Sequence, residues 1–219
     1  MPKLKITETV LRDAHQCLLA TRMTTEEMLR LRETRLAPYI QLATALIGKH
    51  REGGGNMFRH QLDTMAILID YGYIDSVLLK ASVVHDVLED LPDFNHNLLL
   101  SVDYESHQVY ELVREVTRSP GEAKVDFLTR ITEHGSRNAK ILKVADRISN
   151  MISLGFVNKM EFVRRYTDET EQFIFPIAKS VNEYMLIELQ CLVESRRRYA
   201  ENFAKIKFEE TYVDSTDFI

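Results

Sequence analysis

The stretch Val83-Val84-His85-Asp86-Val87-Leu88-Glu89-Asp90 decides how the rest of this chain is interpreted. It sets side chains that can bind a metal or carry a proton among apolar neighbours. His85 and Glu89 are four residues apart, and so are Asp86 and Asp90. Because a step of four residues stays on one face of an α-helix, the spacing predicts that all of them lie within one sector of about 140°. A buried sector of this kind needs partners, since unpaired buried charge is costly.

The chemistry of this sector favours a metal site. A divalent metal would bind His85 and Asp86, and Glu89 and Asp90 would lie one turn further on for proton transfer to a bound water. A solvated helix end, where carboxylates are common, is the alternative interpretation of the stretch taken alone. Distant partners for His85 and Asp86 are therefore needed to support the metal site.

The composition is ordinary for a soluble globular protein. The chain has 219 residues, of which 45% are hydrophobic and 28% charged. The net charge of −5 argues against a nucleic-acid coat, although local basic residues can still bind a small anion. Cys17 and Cys191 lie far apart without a C-x-x-C pattern, which fits a reducing compartment. Without a membrane-span pattern or a signal-peptide core, a cytoplasmic location is expected, and a homo-oligomer is left open.

The spacing of apolar residues predicts an all-α protein. Predicted loops cover residues 49–56, which contain a run of three glycines, and residues 92–104. The chain contains no G-x-G-x-x-G nucleotide-binding loop and no internal repeat. The predicted helices cover residues 24–48, 58–72, 74–89, 109–117, 122–133, 139–154, 159–173 and 178–206.

Residues 5–29 resemble the opening of the biotin-dependent carboxyltransferase barrels, such as the oxaloacetate decarboxylase α-subunit and pyruvate carboxylase. In that family the aspartate that matches Asp13 binds a metal. The resemblance covers about a tenth of this chain, whereas such a barrel requires about 200 residues or more. We therefore interpret residues 1–29 as a non-functional N-terminal arm, followed by a helical domain at 30–208 and an acidic tail at 209–219.

Two distant residues are candidates to complete a site with His85 and Asp86. His60 follows the glycine-rich loop, and Asp146 lies on an otherwise apolar face of a predicted helix. Two imidazoles and two carboxylates make a mixed nitrogen and oxygen site suited to Mn²⁺, Fe²⁺ or Zn²⁺. Taken alone, His60 also fits a core or surface histidine, and Asp146 fits an ion pair with a basic neighbour. His50 is a competing ligand on chemistry alone.

The order of these motifs resembles the HD superfamily of metal-dependent phosphohydrolases. It is most similar to the hydrolase domain of the RelA/SpoT alarmone enzymes and of their small single-domain relatives, over about residues 37–155. The resemblance implies an HD-domain helical bundle and a divalent metal, with Mn²⁺ favoured. It implies four metal ligands, namely His60, His85, Asp86 and Asp146. It also implies a catalytic acid/base pair, Glu89 and Asp90, and two nucleotide contacts, Arg51 and Asn150.

The chain departs from the family pattern in the predicted substrate loop. Glu52 stands where the family usually has a basic residue, and Asn56-Met57-Phe58-Arg59 replaces a tyrosine-containing turn. Gln61 replaces the usual proline after the ligand histidine. The metal set is intact, so the resemblance implies a hydrolase, and its most specific form removes the 3′-pyrophosphate of (p)ppGpp. Hydrolysis of another nucleotide or phosphoester is the alternative.

Two further hypotheses come from other classes of protein. An HD-type iron oxygenase would need additional histidines for a second iron, and within residues 30–208 the spare ones are His50, His96, His107 and His134. A non-catalytic binding module would not require four ligands and an acid pair. For a hydrolase, five basic residues are available to bind the phosphates, namely Lys124, Arg130, Arg137, Lys140 and Lys143.

Overall fold

The computed structural model describes residues 24–51 and 55–213, with the side chains of 31–32 and 203–213 left out. Within this part of the chain, all regular structure is helical and no β-strand is formed, which confirms the all-α prediction and is consistent with the expected HD-domain bundle. Residues 1–23, which hold Asp13, Cys17 and most of the carboxyltransferase-like stretch, lie outside the described residues. None of the described helices is long and apolar enough to cross a membrane.

The helices are divided between two compact units. The first comprises the described residues of 1–49 and 56–122, and the second those of 50–55 and 123–219. The predicted domain limits at residues 29 and 208 stay predictions. The helices of the first unit are α1 (Thr25–Glu33), α2 (Ala37–Ala43), α3 (Met57–Asp70), α4 (Ser76–Ser82), α5 (Val87–Asp90), α6 (His96–Leu100) and α7 (Ser106–Val116), with a 3₁₀ turn at Thr44–Leu46 after α2.

Local side-chain caps explain where several of these helices begin. Thr24 and Glu27 form a capping box at α1, in which each side chain accepts a hydrogen bond from the backbone of the other. Asn56 caps α3, and Asp75 caps α4 by accepting from the amide of Leu78 at 2.9 Å. The caps satisfy amide groups that have no partner within the helix.

The prediction of one continuous helix over residues 24–48 is wrong. Helix α1 ends at Glu33, and α2 begins at Ala37 with Pro38 in its first turn. Proline has no amide hydrogen and clashes with a preceding helical turn, so it is tolerated at a helix start and not in a helix interior. The loop predicted at 92–104 also needs correction, because it contains α6, which Asn95 caps.

The predicted helix over residues 74–89 is interrupted at residues 83–86. Helix α4 ends at Ser82, residues 83–86 form turns, and α5 begins at Val87. The Ser82 hydroxyl donates to the carbonyl oxygen of Leu79 at 2.8 Å, and the Ser82 carbonyl lies 2.7 Å from Nδ1 of His85. In a continuous helix these carbonyls would accept from backbone amides four residues later, so the side chains compete with the helix. Residues 83–90 are therefore not one regular α-helix, which the predicted 140° sector requires.

The core of the first unit surrounds α4 and the turns that follow it. Helix α4 packs against α3 and α7. The fully buried apolar residues of this core include Leu68, Leu78, Leu79, Val83, Val84, Val87, Leu99, Val109 and Val113. This packing holds the turn that carries His85 and Asp86 between buried valines.

The second unit packs three helices against a long C-terminal one. Its helices are α8 (Lys124–His134), α9 (Arg137–Ser153), α10 (Met160–Glu169), α11 (Phe175–Val181) and α12 (Glu183–Val213), with a 3₁₀ turn at Leu154–Phe156 and a π-helical segment at Thr170–Ile174. Helices α9, α10 and α11 pack on α12. The predicted limits of the last two helices, 159–173 and 178–206, are wrong. Helix α11 covers most of the predicted gap between them. Helix α12 begins only after Asn182, whose side chain accepts hydrogen bonds from the amides of Tyr184 and Met185.

Candidate metal centre

Three of the predicted metal ligands meet in the first unit. His60 lies in the first turn of α3, and His85 and Asp86 lie in the turns between α4 and α5. Their potential ligand atoms all lie within 4.8 Å of one another. Oδ2 of Asp86 is 3.5 Å from Nε2 of His60 and 3.3 Å from Nε2 of His85. Both histidines are buried, and the Asp86 side chain is 21% exposed.

The spacing of these atoms fits a shared cation. Two donors that each lie about 2.1 Å from one ion are about 3.0–3.4 Å apart at ordinary bond angles. The distances from Asp86 Oδ2 to the two histidine nitrogens, 3.5 and 3.3 Å, are close to this range. Imidazole nitrogen and carboxylate oxygen are also the donors that Mn²⁺, Fe²⁺ and Zn²⁺ accept. The three residues therefore form a candidate binding site for a divalent metal.

The backbone fixes the orientation of the His85 ring. Nδ1 of His85 lies 2.7 Å from the Ser82 carbonyl, which can only accept a hydrogen bond, so Nδ1 carries the hydrogen. In a neutral imidazole the lone pair then lies on Nε2, the atom that faces Asp86. The His60 and His85 rings meet edge to face, with centroids 5.1 Å apart. A hydrogen bond behind a histidine ligand is a usual feature of protein metal sites.

Gln61 contacts this group, although the sequence marked it only as a departure from the family pattern. Its Nε2 donates to Asp86 Oδ2 at 2.8 Å, and its Oε1 lies 3.4 Å from the Asp86 amide nitrogen. The only feature of the sequence that could have suggested this contact was the position of Gln61 directly after His60. That position alone did not predict a contact with Asp86, which is distant in the sequence.

Each residue of the predicted acid/base pair faces a cation within the first unit. Nζ of Lys49 lies 3.2 Å from Oδ1 of Asp90 and also donates to the Asp90 carbonyl. Glu89 lies 3.9 Å from Arg118, and both side chains are partly exposed. Glu89 lines a cleft of about 770 Å³, together with His96, Tyr110, Arg114 and Arg118. The catalytic role of Glu89 and Asp90 stays a prediction.

The other predicted site residues are joined by hydrogen bonds in the second unit. Asn150 donates from Nδ2 to Asp146 Oδ1 at 2.5 Å, and its Oδ1 accepts from Arg51. Arg51 also donates to the hydroxyl of Ser153 at 3.2 Å. The structure thus brings the two predicted nucleotide contacts together with Asp146, the predicted fourth ligand. The role of Asp146 as a metal ligand stays a prediction.

Lys143 balances the charge of buried Asp146. Its Nζ donates to Asp146 Oδ2 at 2.8 Å. Burial works to lower the pKa of Lys143, but the attraction of the Asp146 carboxylate outweighs it and holds the pKa above its usual value. Asp146 therefore already has a cationic partner.

Arg147 connects α9 to the segments that follow it. Its guanidinium lies over the Tyr166 ring at 4.2 Å, and it donates to Glu169 at 2.7 Å and to the Thr170 hydroxyl at 2.9 Å. Lys124, a predicted phosphate contact, pairs with the same Glu169 at 2.8 Å. The polar face of α9 is therefore held largely by ion pairs and hydrogen bonds.

Comparisons with known proteins support a relationship to phosphohydrolases. No protein-family model matches the chain. A protein of Mycoplasma genitalium named "Probable guanosine-3′,5′-bis(diphosphate) 3′-pyrophosphohydrolase" is 24% identical over 184 residues, which cover 75% of this chain and 25% of that protein. A protein of Mycoplasma pneumoniae with the same name is 25% identical over 186 residues, which cover 75% of this chain and 24% of that protein.

The chain spans about a quarter of the length of these two relatives. They support the resemblance to the phosphohydrolases and give no support to the carboxyltransferase resemblance of residues 5–29. At this level of identity the chain is similar to proteins of that name.

Proposed function

We propose that this chain is a divalent-metal-dependent phosphohydrolase that acts on a nucleotide. The observation that carries the proposal is the convergence of His60, His85 and Asp86, with all ligand atoms within 4.8 Å of one another. The names of the two relatives support removal of the 3′-pyrophosphate from (p)ppGpp as its most specific form. The family resemblance favours Mn²⁺ as the metal.

The buried ligands would bind and orient the cation. His60 and His85 offer neutral nitrogen donors, and Asp86 supplies negative charge on the oxygen that faces both rings. Asp146 is the proposed fourth ligand. A divalent cation at this site would polarise a phosphoryl oxygen and lower the pKa of a water, which makes the water a nucleophile at neutral pH.

Glu89 and Asp90 are the proposed acid/base pair. In this role one carboxylate accepts the proton of the attacking water, and the pair orients that water towards the phosphorus. Helix α5 places both carboxylates immediately after the turn that carries Asp86. Lys49 lies 3.2 Å from the Asp90 carboxylate, and Arg118 lies 3.9 Å from the Glu89 carboxylate.

Arg51 and Asn150 are the proposed contacts to the nucleotide. A planar guanidinium stacks on aromatic rings, so Arg51 is suited to a purine. Its hydrogen bonds to Asn150 and Ser153 hold this guanidinium in place within the second unit. The same Asn150 donates to Asp146, so a base bound at Arg51 would be linked to the proposed fourth ligand.

The full chain, stripped with a chelator and reloaded with Mn²⁺, provides the test. We expect it to release pyrophosphate from ppGpp, and a panel of GTP, GDP, ATP and NADPH measures its selectivity. Asp86→Ala should abolish the release, whereas Arg30→Ala, which removes an exposed ion pair with Glu26, should leave it unchanged. Failure to release phosphate or pyrophosphate from any of these substrates with Mn²⁺, Fe²⁺ or Zn²⁺ would overturn the proposal.

A further inference from the structure

Gln61 is a fully buried polar side chain near the start of α3. A buried amide must be hydrogen-bonded, because an unsatisfied polar group in a protein interior is costly. Its bonding partners therefore show what the side chain does in the fold. Two of its contacts are to Asp86, a candidate metal ligand that is 25 residues away in the sequence.

The contacts of Gln61 define the orientation of its amide. Nε2 lies 2.8 Å from Asp86 Oδ2 and 3.4 Å from the Met57 carbonyl, and both of these atoms only accept hydrogen bonds. Oε1 lies 3.4 Å from the backbone nitrogen of Asp86, which only donates. The opposite orientation would turn the amide oxygen towards a carboxylate and a carbonyl. The NH₂ group must therefore face the Asp86 carboxylate.

The carboxylate oxygen that Gln61 contacts is the one that faces both histidines. Oδ2 of Asp86 lies 3.5 Å from Nε2 of His60 and 3.3 Å from Nε2 of His85. Gln61 thus restrains the atom of Asp86 that would bind the metal, and one Nε2 hydrogen approaches that atom from the α3 side.

The backbone of Asp86 depends on the same amide. In a continuous helix the Asp86 amide would donate to the Ser82 carbonyl, but here His85 Nδ1 lies 2.7 Å from that oxygen. The Asp86 amide turns instead to Oε1 of Gln61. Gln61 therefore holds both the backbone and the side chain of a ligand that lies outside a regular helix.

We propose that Gln61 is a positioning residue for the metal ligand Asp86, and that it sets the metal affinity of this centre. The proposal rests on the proposed function, because it requires a metal at His60, His85 and Asp86. Groups that hydrogen-bond to metal ligands orient them before the metal arrives, and their loss typically costs about 10–100-fold in affinity. Gln61 would act before any substrate binds.

Gln61→Met tests the proposal, because methionine has a similar length and no amide. We expect the Kd for Mn²⁺, measured by titration of chelator-treated full chain, to rise by about 10-fold or more. Ser106→Ala is the matched control. Ser106 is also fully buried in the first unit, and its hydroxyl accepts from the Asp103 amide at 2.7 Å, in a cluster that contains none of the three ligands. This control should lower the free energy of unfolding and leave the Kd for Mn²⁺ unchanged.

The free energy of unfolding of each variant, measured in chelator, shows whether weaker Mn²⁺ binding comes from the position of Asp86 or from a less stable fold. A Gln61→Met protein that is no less stable than Ser106→Ala but binds Mn²⁺ about 10-fold more weakly supports the proposal. Equal Kd values for Gln61→Met and the unchanged chain overturn it and leave the proposed function intact. If the unchanged chain does not bind Mn²⁺, the proposed metal centre is itself contradicted. If Gln61→Met does not fold, Gln61→Asn, whose amide is too short to reach Asp86, is measured with the same expectation.

Discussion

Nδ1 of His85 lies 2.7 Å from the carbonyl oxygen of Ser82, at the point where α4 ends. This contact engages the carbonyl that would accept from the Asp86 amide in a continuous helix, and Nε2 of the same ring faces Asp86. The end of the helix and the orientation of a proposed ligand therefore involve the same carbonyl group.

Glu89→Gln should retain metal and lose turnover by about 10²-fold or more, because the amide keeps the shape of the side chain but cannot accept a proton. Asp90→Asn should behave in the same way. The double variant should lose far less than the product of the two single losses, since residues that act as a unit are not additive. Steady-state rates and Mn²⁺ titrations measure both effects. Full turnover in both single variants would remove the acid/base assignment.

Arg51→Lys should raise KM about 10-fold or more and change kcat less, because lysine keeps the charge but loses the planar surface and the paired donors. In the structure those donors contact Asn150 and Ser153. Ser153→Ala is the matched control, since it removes one of these contacts and keeps the guanidinium. An unchanged KM for Arg51→Lys in a steady-state assay would exclude a nucleotide contact at this residue.

Lys80→Met should destabilise the chain by about 3–5 kcal/mol, because it leaves buried carboxylates without their cation. Nζ of Lys80 donates to Asp103 at 2.8 Å and to Glu105, and the Lys80 side chain is 2% exposed. Arg30→Ala breaks an exposed ion pair and should cost about 1 kcal/mol or less. Urea unfolding of the two variants gives the comparison, and similar losses for both would contradict a buried role for Lys80.

The stability that Lys80 contributes should depend on pH through Asp103. Burial works to raise the pKa of Asp103, but hydrogen bonds from Lys80 and Tyr39 outweigh it and hold the pKa below its usual value. A lowered pKa in the folded state stabilises the protein above the unfolded pKa of about 3.9, and this contribution is lost as the pH falls through the folded value.

The difference in unfolding free energy between the unchanged chain and Lys80→Met should therefore be largest at neutral pH. It should narrow as the pH falls through about 4, where Asp103 begins to bind a proton in the unfolded chain. Urea unfolding of both proteins at a series of pH values measures the difference, in which the titration of unrelated carboxylates cancels. A difference that stays constant down to the pH at which the folded state is lost would contradict this account.

The sequence predicted the helical class better than the path of the backbone. Apolar spacing is a strong signal for helices, because it is local and repeats over several turns. The break after Ser82 was missed because it depends on two side chains that compete for carbonyl oxygens. Pro38 was a sequence signal for the break between α1 and α2, but the apolar spacing over residues 24–48 favoured one continuous helix.

Tertiary contacts set the limit on what could be predicted for the site. His60 could be joined to His85 and Asp86 only through the order of motifs, since residue spacing does not show which distant elements meet. The role of Gln61 and the burial of Lys80 had no pattern of their own in the sequence. Both depend on atoms that folding brings from distant positions.

The stoichiometry and affinity of Mn²⁺ binding by the chelator-treated full chain test the central claim most directly. We predict that each chain binds one Mn²⁺ with high affinity. Asp86→Ala should abolish this binding, and the circular dichroism spectrum of the variant should remain helical. The three ligands lie within 4.8 Å of one another, so the loss of the oxygen that faces both histidines should prevent retention of the ion. An unchanged chain that binds no Mn²⁺, Fe²⁺ or Zn²⁺, or an Asp86→Ala variant that binds Mn²⁺ as well as the unchanged chain, would contradict the account.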